Sequence, residues 1–207
     1  NETFRKELQA NQLTLHQGDA LSIVWPENIT KVVANIPYQI SSPLIERLTQ
    51  HLKQQNTPML QVVIMVQLEF AQRLSMRHPS DVGSLGLTVA LDWNVHEHHT
   101  VPPHHFIPQP DVHSMVVELQ PHERTFSVDK RLLRQIIHHV FDQRRKKLRT
   151  ILKNPPRRIS RIKGWHKQRW KNAVQALQNL EVMDARPEEL QMEDWIALAE
   201  KVEKGSM

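Results

Sequence analysis

The stretch that most constrains this chain runs from Lys31 to Leu48. Val32-Val33-Ala34 is a short apolar run that predicts a buried strand. It ends in a polar amide, a proline and an aromatic: Asn35-Ile36-Pro37-Tyr38. A helix is then predicted, with Ser41 or Ser42 as N-cap, Pro43 at the first helical position and Glu46 in the first turn. In an open α/β sheet the carboxyl ends of strands face the ligand. Asn35 and Tyr38 are therefore expected on the rim of a cleft.

These residue types suit one grip. The Asn35 side chain offers a carbonyl acceptor. Pro37 lacks an N–H, but its carbonyl still accepts. Two acceptors side by side match the two hydrogens of an exocyclic amine, and Tyr38 can stack on a flat base turned out of its strand. Taken alone, the four residues are equally accounted for by a strand and an ordinary Pro turn.

Upstream of that stretch, Phe4 and Leu8 have helical spacing, and Leu13-Thr14-Leu15 reads as a strand running into the acidic turn Gly18-Asp19-Ala20-Leu21. Leu44, Ile45, Leu48 and Leu52 form one stripe of a helix over 44–53. Met59 to Val66 is a β-branched, buried strand. A turn-rich loop over His78–Gly83 and a strand over Leu87–Leu91 follow. His96, His98, His99, His104, His105 and His113 are read as solvated loop residues. Their spacing fits no helix-borne ligand pair, and no cysteine stands near to complete a shell, so no metal site is expected. In Phe106-Ile107-Pro108-Gln109-Pro110-Asp111-Val112-His113-Ser114-Met115-Val116 the alternating prolines stiffen a loop. That loop can hold Phe106 as a stacking plate before Val112, Ser114 and Val116 alternate as in a strand.

Composition changes near residue 120. Pro121 to Thr125 reads as a linker, and Asp129 as the cap of a helix carrying Leu132, Leu133, Ile136, Ile137, Val140 and Phe141. From Arg144 to Lys171 there is no acid, and thirteen of the chain's 27 Lys and Arg lie there, with Trp165 and Trp170 interleaved. Such one-sided charge calls for a counter-charge, and phosphate is the obvious one. Within it, Arg144, Arg145, Lys146, Lys147, Arg149, Arg157, Arg158 and Arg161 are the candidate RNA contacts.

Six stretches together resemble the small-subunit ribosomal RNA adenine dimethyltransferases, the KsgA family, in its archaeal and eukaryotic branch. Asn35-Ile36-Pro37-Tyr38-Gln39-Ile40-Ser41-Ser42-Pro43 looks like the family's motif IV, and Gly18-Asp19-Ala20-Leu21 like its motif III. Phe106, Pro108, Pro110, Val112, Ser114 and Val116 match every fixed position of motif VIII. Phe141-Asp142-Gln143-Arg144-Arg145-Lys146-Lys147-Leu148-Arg149 resembles the family's Phe-x-x-Arg-Arg-Lys signature, and Gln67 to Leu74 its Gln-Lys-Glu-x-Ala-x-Arg-Leu helix. Ser84, Gly86, Leu87 and Thr88 depart from the family's Tyr and Arg-Leu-Ser. The end of the chain resembles the family's closing Arg-x-Glu-x-Leu, with Arg186 and Glu188 as a pair.

The resemblance implies a Rossmann-like α/β methyltransferase domain over residues 1–120 and a small all-α RNA-binding domain over 121–207. It aligns Asn1 just beyond motif II, so the sheet's first strands and Gly-rich loop are expected to be missing from these residues. It implies S-adenosyl-L-methionine as methyl donor, met by Asp19, Ala20 and Asn35, and Asn35, Pro37, Tyr38 and Phe106 around the target adenine. The implied reaction is dimethylation of two adjacent adenines in a small-subunit rRNA loop during small-subunit biogenesis. A non-enzymatic assembly factor of this fold, the erythromycin-resistance methyltransferases of large-subunit rRNA and a DNA-binding transcription factor are the alternatives. The chain lacks cysteine and any apolar run long enough to span a membrane. A cytoplasmic monomer acting on the pre-small-subunit particle, with no membrane partner, is expected.

Overall fold

A computed structural model describes residues 3–54, 59–122 and 125–205. Four strands form one sheet in the order β1-β2-β4-β3. β1 (Lys31–Asn35) runs parallel to β2 (Gln61–Gln67), with helix α2 (Ser41–Gln54) between them in sequence. β4 (Ser114–Pro121) pairs antiparallel with β2 and with β3 (Trp93–Val101), whose register slips between Glu97 and Thr100. The short helix α1 (Arg5–Gln9) precedes them.

The period of two along each strand sends one set of side chains to each face. Val62, Ile64 and Val66 of β2 and Met115, Val117 and Leu119 of β4 are buried with Leu44, Ile45 and Leu48 of α2 and Ala71 and Leu74 of α3 (Leu68–Ser75). Each large apolar side chain so buried is worth about 1.5–3 kcal/mol. β1 forms as expected, but none of its five residues is buried, and Val33 is 83% exposed. β1 is an edge strand of the described sheet, so few groups pack on its side chains.

Two predicted strands are absent among the described residues. Leu13-Thr14-Leu15 is irregular, with Leu15 exposed and no strand beside it. Leu87 to Leu91 lies in and just after helix α4 (Ser84–Val89). Leu87 and Leu91, four apart, face a second buried cluster, whereas Leu85 and Val89 face the sheet's cluster. A helix buried on two sides reads as alternation. Gly86 lets α4 lie against α3: a Cβ there would stand 2.6 Å from the Arg73 carbonyl oxygen.

The second cluster is helical. It joins Leu132, Leu133, Ile136, Ile137 and Val140 of α5 (Lys130–Phe141) to α6 (Leu148–Ile151), α7 (Lys167–Leu177) and α8 (Met192–Lys204). Asp129 caps α5 as expected, accepting from the Arg131 N–H at 2.7 Å. α5 ends at Phe141, so the basic run does not continue that helix; it is spread over a turn, α6, a 3-10 turn at Ile159–Arg161 and α7.

Between the two clusters sits Asp92, 4% exposed. Its carboxylate meets Lys53 of α2 at 3.4 Å, Lys130 of α5 at 3.3 Å, and Arg134 of α5. Lys130 also donates to the Leu91 carbonyl at 2.9 Å.

Candidate active site

Asn35 is the last residue of β1, and its side chain is exposed. The chain then turns through Ile36, which is buried, and Pro37 into a 3-10 turn, Tyr38–Ile40, that leads directly into α2. The predicted cap is not used: Ser41 is already helical, and its hydroxyl donates back to the Tyr38 carbonyl at 2.8 Å. Pro43 is consequently the third helical residue, where an N–H has no intrahelical acceptor anyway. The Pro37 carbonyl accepts from the Ile40 N–H at 3.1 Å. A carbonyl oxygen has two lone pairs, so one remains for a ligand.

Tyr38 is half-buried, and its phenolic oxygen lies 2.7 Å from the Ser114 hydroxyl. Ser114 is fully buried and pairs in register with Gln67 at the end of β2. The Leu68 N–H donates to the His113 carbonyl at 3.0 Å. The carboxyl ends of β1 and β2 and the start of β4 therefore meet at one end of the sheet, bringing Asn35-Ile36-Pro37-Tyr38 beside the end of the proline loop. Phe106 is half-buried at the start of that loop, its N–H bonded to the Pro103 carbonyl at 3.1 Å.

Asp19 lies in an exposed turn. One carboxylate oxygen accepts from the Leu21 N–H at 2.9 Å and the other from the Ser22 hydroxyl at 2.9 Å. These bonds, the Leu21 N–H first, hold its pKa below the usual carboxylate range. Each oxygen keeps lone-pair capacity, so the ionised group is oriented and still able to accept. The Ala20 carbonyl accepts from the Trp25 indole at 3.0 Å. Arg47 of α2 donates to the Leu21 and Ile23 carbonyls and lies 4.6 Å over the Trp25 ring. The turn is thereby tied to the helix that follows Tyr38.

The histidines differ from their reading as loop residues. His96, His98 and His99 lie in β3, His104 and His105 in a 3-10 turn, and His98 meets Glu118 at 2.7 Å. β3 escaped notice because most of its side chains are exposed, so apolar alternation is weak. Among the described residues no group of three His, Asp or Glu is placed to hold a metal.

The basic segment divides. Arg144 meets Glu188 at 3.7 Å, Lys147 meets Asp184 at 3.1 Å, and Arg149 meets the same Asp184. Glu188 thus meets Arg144 in place of the expected Arg186, whose N–H bonds Glu189. Arg145, Lys146, Arg157, Arg158 and Arg161 are exposed. Trp165 and Trp170 are not stacking surfaces: they are buried in the helical core, and Trp170 donates to the Leu152 carbonyl at 2.8 Å. The sequence does not announce the bond of Ser114 to Tyr38 or the ion pairs of Asp92. An acid between Leu91 and Trp93 was the available signal for the latter.

A family model described as ribosomal RNA adenine dimethylase matches residues 1–185. The chain belongs to that family. It is 31% identical over 202 residues to a Methanospirillum hungatei protein named probable ribosomal RNA small subunit methyltransferase A, covering 96% of this chain and 73% of that one. A Natronomonas pharaonis protein of the same name is 35% identical over 153 residues, 73% of this chain and 53% of that protein. Among solved structures, a dimethyladenosine transferase from Plasmodium falciparum superposes with a TM-score of 0.79 at 26% identity, over 100% of this chain and 78% of that one. The 23S rRNA methyltransferase ErmE superposes with a TM-score of 0.58 at 20% identity, over 98% of this chain and 77% of that one, and shares the fold. In this ribosomal RNA adenine dimethylase family member the α/β fold is that of a Rossmann-like methyltransferase.

Proposed function

We propose that this member of the ribosomal RNA adenine dimethylase family methylates the exocyclic amines of two adjacent adenines in a loop of small-subunit rRNA. The observation that carries the reading is the strand-end grip: an exposed Asn35 amide, a Pro37 carbonyl with a spare lone pair, and a Tyr38 ring fixed by Ser114. The reading places the reaction on the pre-small-subunit particle in the cytoplasm, with the chain acting as a monomer. It assigns residues 1–120 to methyl transfer and 121–207 to holding RNA.

The adenine amine is a poor nucleophile because its lone pair is spread into the ring. The Asn35 side-chain oxygen and the Pro37 carbonyl accept its two hydrogens and favour a pyramidal nitrogen. Tyr38 and Phe106 hold the ring in place. No strong base is needed; positioning and fixed dipoles do the work. The exposed, oriented Asp19 carboxylate suits an acceptor for an adenosyl amine, and Asp19, Ala20 and Asn35 would hold S-adenosylmethionine. That cofactor supplies a methyl group on sulfonium, already a strong electrophile. The exposed Arg145, Lys146, Arg157, Arg158 and Arg161 position RNA through phosphates without reading bases, and Arg144, Lys147 and Arg149 stand beside them.

Replacing Asn35 by Ala tests the reading. Methylation of a small-subunit rRNA fragment is expected to fall by about 100-fold or more, the scale for losing one aligned polar group, with Tm unchanged because the side chain is exposed. A near-unchanged rate would remove Asn35 from the chemistry.

A further inference from the structure

Ile107 stands out in the proline loop. It is fully exposed, at 102% of its reference area, between the half-buried Phe106 and the exposed Pro108. A single exposed isoleucine is ordinary on a protein surface. This one differs in its setting. Pro108 and Pro110 follow it, and Pro102 and Pro103 precede it, so four backbone φ angles around it are fixed before any ligand arrives. The Phe106 N–H is bonded to the Pro103 carbonyl. The side chain is β-branched and stiff at χ1. The loop ends on His113 and Ser114, which bond to Leu68 and Tyr38 at the strand ends that carry Asn35. Val112, 41% exposed, adds a second apolar group to the same loop.

A rigid apolar knob on the loop whose end is bonded to the proposed adenine grip has a specific use. Proteins that unstack nucleic acid place apolar side chains between bases, and an extruded base leaves a gap that must be filled or will close. We infer that Ile107 is an RNA-contacting wedge that stacks on the base next to the target adenine and keeps that adenine turned out toward Asn35. The inference rests on the adenine-methylation reading and adds a positioning residue to it. Stiffness is what makes the knob effective: little conformational freedom is lost when RNA seats on it.

The test uses the whole chain and two rRNA hairpins: an unmodified one for methylation rates, and one carrying 2-aminopurine at the target position, whose fluorescence rises when the base leaves its stack. The unsubstituted chain is expected to raise the emission at saturation. Ile107→Ala is expected to lower that plateau and reduce kcat about ten-fold, the scale of one base's stacking, with RNA Kd and Tm nearly unchanged. Ile107→Leu should restore most of both. If Ile107→Ala keeps the full plateau and rate, the inference is overturned while the methylation reading stands. The same result is expected if Ile107 instead seats a protein partner. If the unsubstituted chain binds both hairpins with neither an emission rise on the 2-aminopurine one nor methylation of the unmodified one, the methylation reading falls, and this inference with it.

Discussion

The phenolic oxygen of Tyr38 and the hydroxyl of Ser114 lie 2.7 Å apart across 76 positions of sequence. One follows β1 and the other opens β4. Their contact fastens the proposed adenine grip to the end of the proline loop, so the two stretches are held together at one end of the sheet.

Breaking that contact should therefore affect rate more than folding. Ser114→Ala and Tyr38→Phe are each expected to cost about 1 kcal/mol of stability, the worth of a single hydrogen bond. The double substitution should cost clearly less than the sum, because the second change has no bond left to break. Methylation rates measured on the same four proteins should show the same coupling. Additive effects on rate would mean that Tyr38 is held by something other than Ser114.

The basic segment should separate into two classes. Arg157, Arg158 and Arg161 are exposed and free to meet phosphate. Their replacement by Ala should weaken RNA binding and flatten the slope of log affinity against log salt by roughly 0.7–0.9 per lost contact, at constant Tm. Arg144, Lys147 and Arg149 meet Glu188 and Asp184. Exposed pairs are worth about 0–1 kcal/mol each, so replacing those three should lower Tm by a few degrees. A salt slope that changes only with the second set would reverse this assignment.

Acid should expose a different device. Glu118 accepts from Gln120 and Gln61, each at 2.6 Å, and from His98 at 2.7 Å. These bonds, Gln120 and Gln61 foremost, lower its pKa from 4.5 to about 2. The folded state therefore holds this proton less tightly than the unfolded chain. The stabilisation is complete above the unfolded value and is lost as pH falls from about 4.5 through about 2. Glu118→Gln should be less stable at neutral pH and show a shallower loss across that window in denaturant titrations. Parallel curves for the two proteins would show that Glu118 is not a source of acid lability.

Asp92 is the stability test at the junction. Asp92→Asn removes the charge shared by Lys53, Lys130 and Arg134 while keeping the shape. Leaving a buried ionic group uncompensated costs about 3–5 kcal/mol, and the cations here are part-exposed, so the lower end is expected in urea unfolding. A change under 1 kcal/mol would mean that water already carries those charges.

The candidate site was legible because the residues proposed for it lie in local runs. Asn35 to Pro43 and Phe106 to Val116 are short runs whose residue types announce a strand end and a stiff loop. Ser114 was visible as a fixed position of its motif, but its bond to Tyr38 joins residues far apart in sequence, which no periodicity reveals. α4 was misread because its two opposite faces are both buried, giving alternation a helix does not usually show. β1 was read as buried from Val32-Val33-Ala34, yet apolar content reports what a strand is able to bury, and Val33 is exposed. The Arg144–Lys171 run was read as one charged surface because its acids, Asp184 and Glu188, lie beyond it in sequence and return only through the fold.

The placement of tryptophan gives the molecule a built-in optical asymmetry. Of its five indoles, Trp165, Trp170 and Trp195 are buried in the helical cluster, Trp93 in the sheet's cluster, and Trp25 lies half-buried under Arg47. Intrinsic emission is thus weighted toward the helices, while the sheet that carries Asn35 contributes one deeply buried chromophore. A fluorescence melt follows mainly the RNA-holding part of the chain as proposed, and far-ultraviolet dichroism weighs both, so disagreement between the two signals would time the loosening of one cluster against the other.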